Sequence, residues 1–222
     1  MASECLSIPA KQPLRGCNWT QLLTRKGGVG ESPGREQAVA DAVAATAEKK
    51  RVKQQLAEFL RVDHAGERAA QTIYKGQLAV LKNQPAAAEI QHMMEQEQVH
   101  LDTFDTLLNE YQVRPSLLDP IWGFAGFSLG LVSAALGPKA AMACTIAVEE
   151  VIGGHYQKQV DVLEHTDVDP ELVNTLAQFR DEELEHKDIA VASEGEKAPA
   201  YQLLKFVIQT GCKAAIKVAE KI

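Results

Sequence analysis

The chain has 222 residues, 45% of them hydrophobic and 5% aromatic, and a formal net charge of −7. That is enough apolar material for one sizeable core, while the acid surplus gives no footing for a nucleic-acid partner. The four cysteines, Cys5, Cys17, Cys144 and Cys212, form no close pair; neither a zinc motif nor a disulfide framework is indicated, and a reducing compartment fits.

Residues 1–35 set Lys11, Arg15, Arg25, Lys26 and Arg35 against Glu4 and Glu31, a local balance of +3 that leaves −10 for the rest. Basic, rich in Gly, Ser and Pro and without a long apolar run, the segment reads as an organelle transit-type leader rather than a secretory signal, with an unaddressed tail as the other account. Gly27-Gly28-Val29-Gly30 lacks the strand and spacing of a phosphate loop and reads as linker. Residues 36 to about 52, rich in Ala and charge, lead into the first bundle helix as helix or as disordered chain. The expected organisation is therefore a leader and linker over 1–52 and one all-helical domain over 53–222.

The first bundle helix carries Glu67, Tyr74, Gln77, Val80 and Leu81, and stops near Asn83-Gln84-Pro85 because proline cannot continue it. The next brings Glu97-x-x-His100, an i,i+3 pair on one face. From Pro120 to Pro138 no residue is charged, and Ile121, Trp122, Phe124, Phe127, Leu129, Leu131, Val132 and Leu136 dominate a stretch with four glycines. As a helix it would span about 28 Å, at the lower limit for crossing a bilayer. It is expected to lie in a membrane interface, a buried crossover helix being the alternative. Glu149, Tyr156, Gln159, Val162 and Leu163 then repeat the first helix 82 residues on. A turn at Thr166-Asp167-Val168-Asp169-Pro170 leads to Glu183-x-x-His186. Near the carboxy terminus Lys205, Lys213, Lys217 and Lys221 recur at multiples of four among Leu204, Val207, Ile208, Ile216 and Val218. That is a basic amphipathic helix, suited to anionic lipid or to plain solvation.

A repeat of this length means one helix pair duplicated. Glu67 lies 16 residues before Asn83 and Glu97 lies 13 after Gln84, axial distances of roughly 24 and 20 Å from the turn. The two carboxylates therefore meet at similar depth, and the second pair repeats the arrangement. Four carboxylates converging in a bundle repel one another, and two neutral imidazoles cannot compensate, whereas two divalent cations cancel the charge. A mixed carboxylate and imidazole set suits iron or manganese, and iron is expected on Glu67, Glu97, His100, Glu149, Glu183 and His186. Glu95, Glu150, Glu182 and Glu185 are expected to be exposed. Tyr74, Tyr156, Gln77 and Gln159 read as polar-tipped packing residues rather than redox groups. Asp63 either orients a ligand histidine or supplies helix N-terminal charge, and His155 reads as an ordinary partly buried histidine, with a place on a substrate path as the alternative.

Asp63-His64-Ala65-Gly66-Glu67, Glu97-x-x-His100, Ala141-Met142-Ala143-Cys144-Thr145 leading to Glu149-Glu150, Arg180-Asp181-Glu182-Glu183-Leu184-Glu185-His186, Ala198-Pro199-Ala200-Tyr201 and Gly211-Cys212 together resemble the demethoxyubiquinone hydroxylase family of ubiquinone biosynthesis, from about Leu56 to the end. The resemblance implies a ferritin-like four-helix bundle with an apolar crossover helix and a carboxy-terminal amphipathic helix. It implies a di-iron monooxygenase that hydroxylates the ring of a polyprenylated methoxy-benzoquinol with dioxygen and electrons ultimately from NADH, and it places two iron ions on the same six residues. It also implies peripheral attachment to the matrix side of the mitochondrial inner membrane, a lipid-binding partner protein that presents the quinone, and a wider biosynthetic complex. The chain holds no dinucleotide fingerprint. A ferritin- or rubrerythrin-like bundle for iron handling or peroxide scavenging is the competing reading, but it has no use for the uncharged crossover or the basic tail. A metal-free membrane scaffold is the third.

Overall fold

Every regular element of the computed structural model, which describes residues 33–222, is helical. In chain order these are α1 (Pro33–Leu81), α2 (Ala87–Glu110), α3 (Asp119–Ala135), α4 (Pro138–Leu163), α5 (Pro170–Ala192) and α6 (Tyr201–Ala219), with a 3₁₀ turn at Gly195–Lys197. The expected leader, Gly27 to Gly30, Cys5 and Cys17 lie outside the described residues. The chain divides into two units, Met1–Thr46 and Ala47–Ile222. In the first, residues 35–46 are helical and exposed. The second holds an all-α bundle of the ferritin-like kind. The lead-in over 36–52 is helical.

Local chemistry sets the boundaries. Proline opens α4 and α5, where its missing N–H is one the first helical turn leaves unused. The Asp169 carboxylate accepts the Glu171 backbone N–H at 3.0 Å and caps α5. Gly137 adopts φ 110° between α3 and α4, a left-handed conformation that side chains disfavour. It lets the chain turn directly from the crossover into the second hairpin.

The hairpins α1–α2 and α4–α5 face each other across two apolar clusters. One gathers Leu56, Leu60, Phe104, Leu108, Val160, Leu163, Leu172, Leu176 and Phe179; the other gathers Leu81, Ile90, Met93, Ala141, Met142, Ile146 and Ala190. Each draws on all four helices, and between them along every helix lies a belt of buried polar residues.

The crossover helix α3 is seated on α1 by glycine. A Cβ added at Gly130 would stand 1.9 Å from the Ile73 carbonyl oxygen, one at Gly126 2.4 Å from that of Ala69, and one at Gly76 2.2 Å from that of Phe127. Backbones this close leave no room for bulk inward. Ile121, Phe124, Phe127, Val132 and Leu136 are consequently exposed, Phe124 by 75%. The structure thus excludes a fully buried crossover. Among the described residues no helix is long and apolar enough to cross a membrane. On α6, Ile208 is buried while Leu203, Phe206 and Val207 are exposed. Lys205 is paired to Glu150 at 2.7 Å, leaving Lys213, Lys217 and Lys221 as the exposed basic edge.

Candidate metal centre

All six residues selected by the repeat converge in the polar belt, and each is 0–1% exposed. Glu67 comes from α1, Glu97 and His100 from α2, Glu149 from α4, and Glu183 and His186 from α5. Their oxygen and nitrogen atoms form two groups, Glu67–Glu97–His100–Glu183 and Glu97–Glu149–Glu183–His186, with the atoms of each within 4.8 Å of one another. Glu97 and Glu183 belong to both groups. Glu67 and Glu149 each belong to one, which is the pattern of two shared and two terminal carboxylates.

Both imidazoles turn Nδ1 inward. His100 Nδ1 lies 3.2 Å from Glu183 and 3.4 Å from Glu67, and His186 Nδ1 lies 3.2 Å from both Glu97 and Glu183. The Tyr74 hydroxyl donates to Glu149 Oε1 at 2.6 Å, and the Tyr156 hydroxyl donates to Glu67 Oε1. The two tyrosines are packing residues, as their spacing suggests, and each also fixes the outer carboxylate of the opposite hairpin.

Electrostatics supply the test of fit. Burial, then the charges of Glu183 and Glu67, pushes Glu97 well above the ordinary carboxylate range, and burial followed by Glu183 does the same to Glu149. Burial would raise Glu183 too, but the imidazoles of His100 and His186 beside it draw it down to about 2. Burial would lower His100, yet the carboxylates of Glu183 and Glu67 facing it raise it to about 11. Without cations the cluster must hold protons to offset its own charge. Glu67 Oε2, both Glu97 oxygens, Glu149 Oε2, Glu183 Oε1 and His100 Nδ1 have no hydrogen-bond partner although they are buried. Orphaned anionic oxygens and imidazole lone pairs directed at one space fit divalent cations better than any arrangement of water-free protein groups.

Three expectations need correction. Glu182 is half-buried rather than solvated, and its carboxylate meets His100 Nε2 at 2.5 Å. Glu150 is likewise half-buried, held by Lys205 and by Gln209, the latter at 2.7 Å. Asp63 neither caps a helix nor touches a candidate ligand histidine: it lies inside α1, buried, where it accepts from Gln159 Nε2 at 2.6 Å, and His155 Nε2 is 3.7 Å away. His155 is partly buried as expected, and its pKa is lowered to about 4 by that burial. Glu95 and Glu185 are exposed. The residue that composition alone passes over is Gln96, whose Oε1 lies 3.0 Å from His186 Nε2. Its signal in the sequence is its place immediately before Glu97, matching Glu182 before Glu183.

An apolar cleft of about 90 Å³ lies against the same helical segments, lined by Gly66, Ala70, Trp122, Val148, Cys212 and Ile216 among others. Gly66 and Val148 are the chain neighbours of Glu67 and Glu149, while Trp122 and Ile216 bring α3 and α6 to its rim.

A family model described as ubiquinone biosynthesis protein COQ7 matches residues 54–219. The chain is 49% identical over 166 residues to a protein of Rattus norvegicus named NADPH-dependent 3-demethoxyubiquinone 3-hydroxylase, mitochondrial, covering 74% of this chain and 76% of that one. It is 51% identical over 165 residues to the 3-demethoxyubiquinol 3-hydroxylase of Rhodospirillum rubrum, covering 74% and 77%. It is 41% identical over 182 residues to the 5-demethoxyubiquinone hydroxylase, mitochondrial, of Saccharomyces cerevisiae, covering 75% and 78%.

Proposed function

The chain belongs to the COQ7 family of ubiquinone biosynthesis proteins, and from that membership we propose that it is a di-iron monooxygenase that hydroxylates the ring of a polyprenylated methoxy-benzoquinol, demethoxyubiquinol, in the mitochondrion. The observation that carries this reading is the pair of overlapping carboxylate and histidine groups whose inward atoms lack protein partners. Glu67, Glu97, His100, Glu149, Glu183 and His186 are the proposed ligands, within a catalytic domain over 53–222 that follows a leader and linker over 1–52. Iron held there would supply the activation of dioxygen that ring hydroxylation requires.

The protein's part is to hold, orient and exclude. Glu97 and Glu183 lie where they can serve both metal positions, and Tyr74 and Tyr156 hold Glu149 and Glu67 by donating to one oxygen of each. The two apolar clusters seal the polar belt from both ends of the bundle, keeping water from the reacting centre. The cleft at Gly66, Ala70 and Val148 offers an uncharged ring a dry approach beside Glu67 and Glu149.

Helices α3 and α6 line that cleft through Trp122, Cys212 and Ile216, and the exposed apolar side chains of α3 together with the Lys213, Lys217 and Lys221 edge of α6 support docking of the bundle on an anionic bilayer. A quinone with an isoprenoid tail then reaches the site without crossing water. The proposed location is peripheral, on the matrix side of the inner membrane, with a lipid-binding partner protein and a wider biosynthetic complex presenting the substrate. Electrons come from a reduced nicotinamide nucleotide. The resemblance pointed to NADH, and the name of the rat relative specifies NADPH.

The test combines metal analysis with aerobic turnover of a short-chain methoxy-benzoquinol, comparing NADH and NADPH. Two irons per chain and one ring hydroxyl gained per turnover are expected. A full iron complement without hydroxylation would overturn the reading and favour iron handling.

A further inference from the structure

The two hairpins are not chemically equal where they complete each other's histidines. His100 on α2 presents Nε2 to the carboxylate of Glu182 on α5, and His186 on α5 presents Nε2 to the amide oxygen of Gln96 on α2. Gln96 and Glu182 hold equivalent places, one residue before Glu97 and Glu183. The exchange is symmetric in position and unlike in charge. Glu182 is further held by Gln178 Nε2, which donates to its other oxygen at 2.8 Å. The face of His100 is covered by Phe179, 4.0 Å between centroids, whereas His186 meets Tyr74 edge-on at 6.2 Å.

With Nδ1 turned to the centre, each ring must carry its proton on Nε2 to offer a metal its lone pair, and that N–H must donate outward. A carboxylate acceptor pulls on the proton more strongly than an amide oxygen and makes the opposite nitrogen the better donor to a cation. We propose that Glu182 is a positioning residue which makes the Glu67/His100 position the tighter and more electron-rich of the two, while Gln96 leaves the Glu149/His186 position the weaker. The inference rests on the ligand assignment proposed above. The two side chains are isosteric, so exchanging them alters charge at the ring without altering volume.

The test is anaerobic titration of the metal-free full chain with ferrous ion, followed by calorimetry, in four proteins. Wild type is expected to bind two ions in two affinity classes. Glu182→Gln should weaken the tighter class roughly 10- to 100-fold, the usual cost of losing such an outer hydrogen-bond partner, and narrow the separation. Gln96→Glu should instead strengthen the weaker class. The double exchange Q96E/E182Q keeps net charge and hydrogen-bond number and should restore two separated classes, so it also serves if the single variants fold poorly. Any interaction between the two ions is common to all four proteins and cannot produce this pattern of opposite signs. Unchanged affinities in E182Q, or a single class in the double exchange, would overturn the inequality while leaving the ligand set intact. Failure of wild type to bind iron at all would overturn the ligand set as well.

Discussion

Replacing Phe124 and Phe127 by Ser tests whether the crossover helix docks on lipid. The two rings are 75% and 40% exposed on the outer side of α3. Fully burying a Phe side chain is worth about 1.5–3 kcal/mol; scaled by these exposures, the pair contributes about 2–3 kcal/mol to insertion. At 1.4 kcal/mol per decade that is roughly a 30- to 150-fold fall in vesicle partitioning. The assay is co-sedimentation of the full chain with vesicles of neutral and of anionic lipid. Because neither ring belongs to the buried clusters, the thermal midpoint should move little. Partitioning equal to wild type at unchanged midpoint would refute the docking argument.

Gly130→Val places atoms against the Ile73 carbonyl, where even a Cβ would stand 1.9 Å away. It should lower stability by about 1–3 kcal/mol, seen as a fall of roughly 2–4 °C in melting temperature for each kcal/mol. Gly66→Ala meets nothing within 4 Å and should stabilise α1 by up to about 1 kcal/mol through helix propensity; equal effects from the two would refute the close seating of α3. In the metal-free chain the pKa values of Glu97 and Glu149 are raised from 4.5 and that of His100 is raised from 6.5 to about 11. Groups shifted upward stabilise fully below their unfolded values and lose that contribution as pH climbs through the folded ones. Glu183, at about 2, contributes above 4.5 and is lost only in strong acid. His155, lowered to about 4, adds stability only up to about pH 6.5, so metal-free stability should fall as pH rises from about 7 to 9, checked by calorimetry, and a rising midpoint over that range would contradict the proton-holding cluster. Metal at 100 times its Kd should add about 2.7 kcal/mol, with chelation reversing the gain.

The convergence of Glu67, Glu97, His100, Glu149, Glu183 and His186 was legible because helical rise converts sequence distance from a turn into depth, and the duplication checks each depth against a second copy. The same periodicity misjudged Glu182. It follows Asp181 and precedes Glu183 in a charged run, and only the position of α2 reveals that its carboxylate meets His100. Asp63 escaped for a related reason: α1 extends far upstream of it, so a residue taken for a helix start is an interior one. The role of α3 was half legible. Its lack of charge marked it as unusual, but whether its bulky residues point inward or outward depends on where Gly126 and Gly130 touch α1, and spacing alone does not encode the partner.

The exchange of acceptors between His100 and His186 has a consequence for how such a protein can vary. Two identical hairpins associating as separate chains would be obliged to carry the same residue beside both rings, so any tuning of one would be imposed on the other. Joining the hairpins covalently through α3 releases that constraint, and Gln96 and Glu182 are the positions where this chain has used the freedom. Separated from one another, the two hairpins would each hold a histidine whose outward Nε2 has lost its partner, Glu182 for His100 and Gln96 for His186.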